Sequence, residues 1–269
     1  MDNWIKDMFG TDKALIGLCH FLALPGDPRY DPEGGMEKVY EAARRDVLAL
    51  QEGGIDGIHF SNEFSMPYML KVKTETVAAM AELIGELKRD VSVPFGCNVI
   101  SDPMAGVALC AATGAKFIRG AFTGAYVTNM GVCNTEGGEI VRLRHYLGRD
   151  DLKLIYYVKP ENAGDMGGRD EVEAMKACYF LDKPDALCVA GLVAGQKSDA
   201  QMMARVRTAF PDCVLFANTG VTPDTIEEMF TYANAAFVGT YLKKDGVFEN
   251  PVDPERVKKL MDKANSLRK

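Results

Sequence analysis

The stretch "CVLFANTGVTPDTIEEMFTYANAAFVGTYL" (213–242) contains two short apolar runs separated by a segment with a helical pattern. Short runs that are almost entirely apolar are typical of strands buried on both faces of a parallel sheet. The stretch therefore predicts a strand, a crossover helix and a second parallel strand. The first run ends in Asn218, Thr219 and Gly220, and the second ends in Gly239 and Thr240.

The same alternation of strand and helix runs through the whole chain. The predicted strands cover 14–21, 56–62, 94–100, 116–123, 152–158, 185–191, 213–220 and 235–242, and the helices that follow them cover 36–54, 73–91, 102–114, 136–148, 169–181, 199–210, 222–233 and 253–267. Eight such units in 269 residues predict an α/β fold, a closed (β/α)8 TIM barrel that forms one domain over 1–269.

The ends of the predicted helices carry the expected terminal signals. Glycines stand where helices stop, and Asp102-Pro103 and Thr222-Pro223 stand where two helices are predicted to begin. The rival fold is a doubly wound open sheet, which needs a G-x-G-x-x-G motif after the first strand. The segment "GLCHFLALPGDP" (17–28) contains no such motif, so the barrel is preferred.

Composition limits the possible partners. The net charge of −7 offers no electrostatic attraction for nucleic acid or for an anionic membrane surface. No apolar run approaches the roughly 20 residues of a membrane span, and the polar start of the chain lacks a signal-peptide core. The sequence therefore predicts a cytoplasmic protein without an integral membrane segment. Barrels of this type commonly associate, so we also expect a homo-oligomer.

Two peripheral features leave alternatives open. Residues 1–13 are predicted to form one amphipathic turn through Trp4, Ile5 and Met8, which covers either the barrel bottom or a partner subunit. Six of the seven cysteines lie in apolar segments and are expected to be reduced core residues. Cys133 alone lies in a polar loop, where it is either a reactive thiol or an unreactive one.

The ends of the last two predicted strands suggest a phosphate site. In TIM barrels the loops after strands 7 and 8 often bind phosphate together with a helix N-terminus. Small residues let an anion approach the main chain, and a helix that begins at Thr222 would add its positive dipole end. Lys243 and Lys244 follow the last strand and are expected to add positive charge. The predicted phosphate-binding residues are Asn218, Thr219, Gly220, Val221, Gly239 and Thr240.

Ionisable residues near the other strand ends are the candidates for chemistry. Active sites in this fold lie at the C-terminal ends of the strands. His20, at the end of the first strand, is a candidate general base or metal ligand, and Glu63, just past the second strand, is a candidate general base. Arg119 is a buried cation that needs a carboxylate or an anionic ligand. Lys159 is the fourth predicted catalytic residue, either as an imine-forming amine or as an ion-paired one.

Neutral polar residues at the same ends are predicted to contact substrate. These residues are Asn62, Asn98, Thr123 and Tyr157. No His, Cys and Asp cluster has the spacing of a zinc site, so neither a protein-held metal nor a cofactor is predicted. A divalent ion held by Glu63, Asp102 and substrate hydroxyls stays an open alternative. The long Gly-rich loops 124–139 and 159–170 are either binding elements or simple insertions.

Several segments resemble the BtpA/SgcQ family along nearly the whole chain. They include "IGLCHFLALPGDPRYD" (16–31), "VPFGCNVISD" (93–102), "NTGVTPDTI" (218–226) and "VGTYLKKDGVFENPVDPERVKKLM" (238–261). The specific motifs are P-G-x-P-x-Y in the first of these segments and G-T-x-L-K-K-D-G-x-x-x-N-P-V-D in the last. The resemblance implies a ribulose-phosphate-binding type of barrel. The family's label comes from photosystem I biogenesis in photosynthetic members, while other members resemble parts of sugar-uptake gene clusters.

This chain departs from the family pattern at two strands. In strand 2 the family usually reads V-E-N-F-x-D, whereas this chain reads F-S-N-E-F-S, with Ser61 in place of the acid and Glu63 displaced past Asn62. At strand 5 the chain keeps Lys159 but lacks the neighbouring acid and His. The family has no settled catalytic assignment, so the resemblance supplies no catalytic residues.

The leading prediction is an enzyme that binds a small phosphorylated metabolite, such as a sugar phosphate. Its acid–base groups suit isomerase, epimerase or lyase chemistry. The alternative is a non-catalytic assembly or interaction factor built on a barrel, because fold alone does not determine function. A sensor that binds a phosphosugar without converting it is the third hypothesis.

Overall fold

The computed structural model describes residues 4–191 and 200–268. In chain order the strands are β1 (Ala14–His20), β2 (Gly57–Ser61), β3 (Phe95–Asn98), β4 (Phe117–Gly120), β5 (Ala125–Thr128), β6 (Gly131–Asn134), β7 (Lys153–Tyr157), β8 (Gly164–Asp165), β9 (Ala186–Ala190), β10 (Leu215–Asn218) and β11 (Ala235–Val238). The helices are α1 (Trp4–Phe9), α2 (Gly35–Glu52), α3 (Thr74–Leu87), α4 (Pro103–Thr113), α5 (Gly137–Tyr146), α6 (Glu171–Leu181), α7 (Ala200–Ala209), α8 (Ile226–Tyr232) and α9 (Pro254–Leu267).

Eight parallel strands form a nearly closed barrel in the order β3-β2-β1-β11-β10-β9-β7-β4. The remaining gap lies between β3 and β4, where the Lys116 amide donates to the Phe95 carbonyl over 2.8 Å. Gly96 is required here because a Cβ atom on it would lie 2.5 Å from the Phe117 carbonyl oxygen. The predicted (β/α)8 barrel is confirmed, although the last strand ends at Val238 and not at Leu242.

Side chains alternate between the inside of the barrel and the surrounding helices, as the twofold period of a strand requires. In β1 the inward positions are Ala14, Ile16 and Leu18, and in β11 they are Ala235 and Phe237. These residues form an inner core that is distinct from the larger core between barrel and helices. Both faces of each barrel strand are therefore buried, which explains the unbroken apolar runs of the sequence.

Helix α1 closes the bottom of the barrel. Trp4 and Ile5 are buried in the inner core, and the Trp4 ring stacks on Phe216 with 6.0 Å between ring centroids. The Trp4 indole also donates to the carbonyl of Asp185 over 3.0 Å. Of the two placements expected for this turn, the structure shows the barrel bottom. The first three residues of the predicted segment lie outside the described residues.

One predicted helix start is correct and the other is wrong. Asp102 caps α4, since its side chain accepts from the Ala105 amide over 3.2 Å and Pro103 follows it. The helix predicted from Thr222 begins instead at Ile226. The Thr225 hydroxyl accepts from the Thr222 amide over 2.9 Å and donates to the Gly220 carbonyl over 2.8 Å. This hydroxyl bridge makes a turn where the first helical turn was expected.

The two long loops pair with each other. Strands β5 and β6 form a hairpin within 124–139, and β8 from the loop 159–170 pairs antiparallel with β5. Tyr126 lies opposite both Cys133 and Asp165 in this small sheet. The sequence predicted two separate loops, because the pairing joins segments that are distant along the chain. The start of the helix predicted over 199–210 lies outside the described residues, since α7 is described from Ala200.

Among the helices of residues 4–191 and 200–268, none combines the length and the apolar character that a bilayer crossing needs.

Lys243, expected to add charge at the phosphate site, is instead only 1% exposed, and its Nζ lies 2.7 Å from Asp46 Oδ2 on α2. Asp46 Oδ1 also accepts from the Val252 amide over 3.0 Å. The charge of Lys243 is thus neutralised by Asp46 in the core, whereas Lys244 is exposed.

We expect Lys243→Met to lower the free energy of unfolding by about 3–5 kcal/mol, because the variant removes the buried cation from the Asp46 carboxylate. The mostly exposed Arg45, 3.7 Å from Asp46 Oδ1, would be the cation left beside it. Urea unfolding followed by circular dichroism measures the change. Lys244→Met is the matched control and is expected to change stability by less than about 0.5 kcal/mol. Equal stability of the two variants would show that the buried pair is not a constraint on the fold.

Candidate active site

Polar side chains occupy the carboxyl ends of the barrel strands. His20, Asn98, Tyr157 and Asn218 are the last residues of β1, β3, β7 and β10, and Arg119 is next to last in β4. In a parallel barrel these ends meet at one face, where TIM-barrel active sites lie. The strand lengths therefore bring these five predicted residues to the same mouth.

The first cavity at this mouth has a volume of about 250 Å³. We call it the β10–β11 cavity, because the turns after those two strands form one wall. Its lining among the described residues includes Asn218, Thr219, Gly220, Val221, Gly239 and Thr240 on that wall, with His20, Glu63, Arg119, Glu161, Phe248 and Arg256 around the remainder. All six predicted phosphate-binding residues and three of the four predicted catalytic residues line this cavity.

The turns after β10 and β11 leave main-chain donors available. Among the described residues, the amides of Gly220, Val221, Gly239 and Thr240 donate to no protein acceptor. Thr219 and Gly220 have φ angles of 72° and 61°, so two successive residues adopt the left-handed conformation. Successive N–H groups in such turns form concave anion sites. The Thr219 hydroxyl serves the fold instead, since it accepts from the Gly191 amide over 2.7 Å.

Gly239 brings the main chain against His20. A Cβ atom at this position would lie 3.1 Å from Leu18 Cδ1 and 3.3 Å from His20 Cε1. Both distances are shorter than ordinary van der Waals contacts, so a larger residue would push into the cavity or displace the imidazole. Glycine thus lets the main chain at residue 239 pack closely against the imidazole.

His20 is buried with no hydrogen bond to either ring nitrogen among the described residues. Its ring packs between Phe64 and Phe248, at centroid distances of 6.3 and 5.4 Å. Burial lowers the pKa of His20 well below its usual value, and the nearby charges of Lys243 and Arg119 lower it further. A neutral imidazole that faces a cavity can accept or donate one proton to a bound molecule.

Glu63 lies beside His20, with 3.9 Å between His20 Nε2 and Glu63 Oε2. The Ser61 hydroxyl donates to Glu63 Oε2 over 3.2 Å, and the Tyr68 hydroxyl donates to the Glu63 carbonyl over 2.9 Å. Burial raises the pKa of the Glu63 carboxyl, although Arg119 opposes the shift. A carboxyl with a raised pKa is suited to act as a general acid or base near neutral pH.

Arg119 connects β4 to β10 across the mouth. Its guanidinium donates to Asn218 Oδ1 and lies over the Phe237 ring, 4.5 Å from the ring centroid. Asn218 Nδ2 in turn donates to Glu161 Oε1 over 2.9 Å. Burial raises the pKa of Glu161, Arg119 lowers it, and the Glu63 charge raises it. The mouth therefore holds two carboxyl groups and one guanidinium in mutual electrostatic contact.

Two charged residues of the β10–β11 cavity, Glu161 and Arg256, were not among the predicted site residues. Glu161 follows Pro160 in the loop after β7, and its place so near a strand end was the only available signal. Arg256 comes from α9, and its Nε donates to the Tyr241 carbonyl over 2.6 Å. Nothing in the sequence distinguishes Arg256 from other helical arginines. It supplies the positive charge that was expected from Lys243.

A second cavity of about 350 Å³ lies beneath the β5–β6 hairpin, and we call it the hairpin cavity. It shares Glu63, Arg119 and Glu161 with the β10–β11 cavity. Tyr157 and Asn98, both predicted to contact substrate, line it. The two cavities are thus adjacent lobes that meet at three ionisable side chains.

Several predicted residues are engaged elsewhere. Lys159 lies outside both cavity linings, because β7 ends at Tyr157 and the Lys159 amine lies 3.5 Å from Glu171 Oε1 on α6. Asn62 Oδ1 accepts from the Ile100 amide over 2.8 Å, and Thr123 contacts the thiol of Cys178. The Asn98 amide oxygen lies 2.8 Å from His59 Nε2, so a buried neighbour already satisfies it.

The divalent-ion alternative loses one of its ligands. Asp102 accepts from the amides of Val72 and Ala105, over 3.0 and 3.2 Å, so both of its oxygens serve the backbone. Within the described part of the chain, no group of three or more His, Cys, Asp or Glu side chains is placed to hold a metal ion. Glu63 is left with hydrogen-bond donors around it, and these suit a proton-transferring carboxyl.

Comparison with solved structures agrees with the observed architecture. Phosphoribosyl anthranilate isomerase from Thermus thermophilus superposes with a TM-score of 0.57 over 95% of this chain and 100% of that chain, at 13% identity. Thiamine phosphate pyrophosphorylase from Pyrococcus furiosus gives 0.56 over 96% and 98%, at 12% identity. At identities this low, the structural similarity shows a shared fold and nothing more.

Sequence comparison gives a closer relationship. The putative sgc region protein SgcQ of Escherichia coli K12 is 47% identical over 267 residues, which cover 99% of this chain and all of that protein. The photosystem I biogenesis protein BtpA of Synechocystis PCC 6803 is 29% identical over 252 residues, which cover 93% and 87%. The BtpA family model matches residues 11–266. With its barrel and its mouth residues within that match, the chain belongs to the BtpA family.

Proposed function

We propose that the protein is an enzyme that binds a small phosphorylated metabolite of the sugar-phosphate type and performs isomerase, epimerase or lyase chemistry. One observation carries this proposal: the β10–β11 cavity is lined both by the His20–Glu63 pair and by residues whose main-chain amides have no acceptor within 4–191 and 200–268. The amides suit a phosphate group, and the pair suits proton transfer at a carbon or oxygen nearby.

The phosphate would lie against the turns after β10 and β11. Gly220, Val221, Gly239 and Thr240 supply N–H donors, and the Arg256 guanidinium supplies positive charge at the same cavity. Main-chain donors have a fixed geometry, so they cost little ordering on binding. An acidic protein can therefore bind an anion at this place without a cluster of lysines.

The reacting end of the substrate would lie among His20, Glu63 and Arg119. Glu63 would exchange a proton with the substrate, since its raised pKa lets it hold or release one near neutral pH. Neutral His20 would donate to or accept from an adjacent oxygen. Arg119 would stabilise negative charge that develops on the substrate, as a preorganised cation does in a dry site.

The structural neighbours support this proposal only at the level of the fold. Phosphoribosyl anthranilate isomerase and thiamine phosphate pyrophosphorylase are named for phosphorylated compounds. The proposed site lies at the carboxyl ends of strands 7 and 8 of the barrel, a common phosphate position in this architecture. The cytoplasmic location predicted from the sequence is part of the same proposal.

A non-catalytic interaction factor is the second candidate, and exposed apolar side chains favour it. Tyr146 is 85% exposed at the end of α5, and Phe180 and Leu181 are 79% and 73% exposed at the end of α6. Exposed apolar side chains of this kind would also serve a homo-oligomer. Large exposed apolar side chains mark interaction surfaces, whereas turnover of a substrate would identify an enzyme.

Phosphate binding is tested by thermal unfolding with inorganic phosphate. We expect phosphate to raise the Tm of the wild-type protein, and Gly239→Ala to weaken its affinity at least about tenfold, or about 1.4 kcal/mol, because the added methyl group crowds His20. Gly85→Ala is the matched control, since a Cβ atom at that α3 position meets no atom within 4 Å. Equal phosphate affinity in both variants would contradict the proposed anion site.

The role of Glu63 is tested by separating binding from turnover. We expect Glu63→Gln to keep affinity for a converted sugar phosphate within about threefold and to lose about 10²–10⁴ in kcat, because the amide cannot transfer a proton. Conversion across a panel of sugar phosphates is followed by NMR and affinity by calorimetry. Binding without conversion by the wild-type protein would instead support the sensor hypothesis.

The raised pKa of Glu63 also predicts a pH effect on stability. Below the ordinary carboxyl pKa of about 4.3, Glu63 is protonated in both the folded and unfolded states. As the pH rises from there through the raised folded-state pKa, the unfolded state ionises first and the wild-type protein loses stability. We therefore expect Glu63→Gln to gain stability relative to wild type as the pH rises from about 4.5 to 8.

Urea unfolding at several pH values measures this difference. Glu249→Gln is the control, because Glu249 is exposed at the surface. A stability difference between wild type and Glu63→Gln that is independent of pH would show that burial does not perturb this carboxyl.

A further inference from the structure

We infer that the ligand has two ends: a phosphate in the β10–β11 cavity and a neutral ring in the hairpin cavity, joined by a sugar between them. This inference rests on the proposed function for its phosphate end. Its second end rests on a different observation, the hairpin cavity itself. The ligand class is thus a phosphorylated glycoside, larger than a simple sugar phosphate.

The small sheet formed by the two loops gives the hairpin cavity its cover. Tyr126 on β5 is buried and lines the cavity, and its partner across the hairpin is Cys133, which also lines it. The neighbouring pair, Val127 and Val132, is on the opposite face and is more than half exposed. One face of the sheet therefore belongs to the cavity and the other to solvent.

Most of the side chains that line the hairpin cavity are neutral, and three of them are tyrosines. Among the described residues, the only acidic or basic side chains in this lining are Glu63, Arg119 and Glu161, which the hairpin cavity shares with the β10–β11 cavity. The remainder includes Tyr68, Tyr126, Tyr157, Leu70, Ile100 and Met130, together with the neutral polar residues Asn98, Ser101, Thr128, Asn129 and Asn162. Aromatic and thioether groups favour a flat and weakly polar ring. A charged group would find a charged partner only at the boundary with the β10–β11 cavity, where Glu63, Arg119 and Glu161 lie.

The boundary between the lobes suits a sugar. Glu63 and Glu161 present carboxyl oxygens there, and Arg119 presents N–H donors. Carboxylates accept hydrogen bonds from hydroxyl groups, and a guanidinium donates to hydroxyl or ring oxygens. A sugar at this boundary would connect a phosphate on one side to a ring on the other.

The sizes of the two lobes support the same conclusion. Inorganic phosphate or a short sugar phosphate would occupy the lobe of about 250 Å³ and leave the aromatic lobe of about 350 Å³ to water. Water makes poor contacts with tyrosine faces and with methionine, so filling that lobe with a ring is favourable. A ligand that spans both lobes gains from each.

The first experiment compares ribose 5-phosphate with uridine 5′-monophosphate by calorimetry. Both carry a phosphate and a pentose, and only the second also carries a flat, neutral base. We expect the nucleotide to bind about tenfold more tightly, the effect of one well-packed aromatic contact. Tyr126→Ala is expected to remove this preference and leave inorganic phosphate affinity unchanged.

Two control variants show that a loss in Tyr126→Ala reflects the ring contact. Tyr126→Phe keeps the aromatic face and is expected to keep the preference for the nucleotide. Val127→Ala changes the adjacent, exposed position on the other face of β5 and is expected to behave as wild type. A similar loss in Val127→Ala would attribute the effect to the stability of the hairpin and would overturn the inference.

A second readout uses Cys133. All seven cysteines lie in the described residues, and Cys133 is the one that is only partly buried. Burial raises the pKa of its thiol, so labelling with Ellman's reagent is done at about pH 8.5, where more thiolate is present. We expect saturating uridine 5′-monophosphate to slow labelling at least fivefold and inorganic phosphate to leave it unchanged. Cys133→Ser should abolish the labelled fraction.

The outcomes separate the two proposals. If inorganic phosphate binds and Gly239→Ala weakens it, the phosphate site stands, and equal affinities for ribose 5-phosphate and the nucleotide then overturn the ring lobe alone. If inorganic phosphate does not bind, the proposed function fails and this inference fails with it. Unchanged Cys133 labelling under saturating nucleotide also overturns the inference.

Discussion

The buried charge of Arg119 is the constraint on which the arrangement of the mouth depends. A guanidinium at 7% exposure must be compensated, because an unpaired charge in such a place is strongly destabilising. Asn218 and the face of Phe237 hold it from the far side of the barrel. Its field opposes the rise in the pKa of Glu63 and of Glu161, and it helps to keep His20 neutral. The protonation states of His20, Glu63 and Glu161 are therefore set together, by their shared burial and by the charge of Arg119.

Burial shifts the pKa values of the titratable groups at the mouth in opposite directions. It lowers the pKa of His20 and raises that of Glu63, because desolvation disfavours whichever form is charged. Pairs of groups whose pKa values are moved in this way are typical of acid–base sites. The amides after β10 and β11 add fixed donors that need no charge. An acidic chain thus acquires a local site for an anion without a basic surface.

Much of the fold follows from patterns that are local in the sequence. Each apolar run became a barrel strand, and Asp102 with Pro103 began a helix as predicted. The helix predicted to begin at Thr222 begins at Ile226, because the Thr225 hydroxyl holds the preceding residues in a turn. The pairing of β5 with β8 was also missed, because it depends on contacts between residues far apart along the chain. Lys243 was misjudged for the same reason, since its partner Asp46 lies on α2.

The sequence by itself determined the barrel, its eight strand–helix units and the small residues at the ends of the last two strands. Alternation along each strand was enough to bring His20, Arg119 and Asn218 to one mouth, because the carboxyl ends of parallel strands share a face. Only the tertiary structure decided that Glu161 and Arg256 join them, that Lys159 does not, and that a hairpin covers a second lobe. These outcomes depend on where loops and helices return to the barrel, and the periodicity of an isolated segment carries no information about that return.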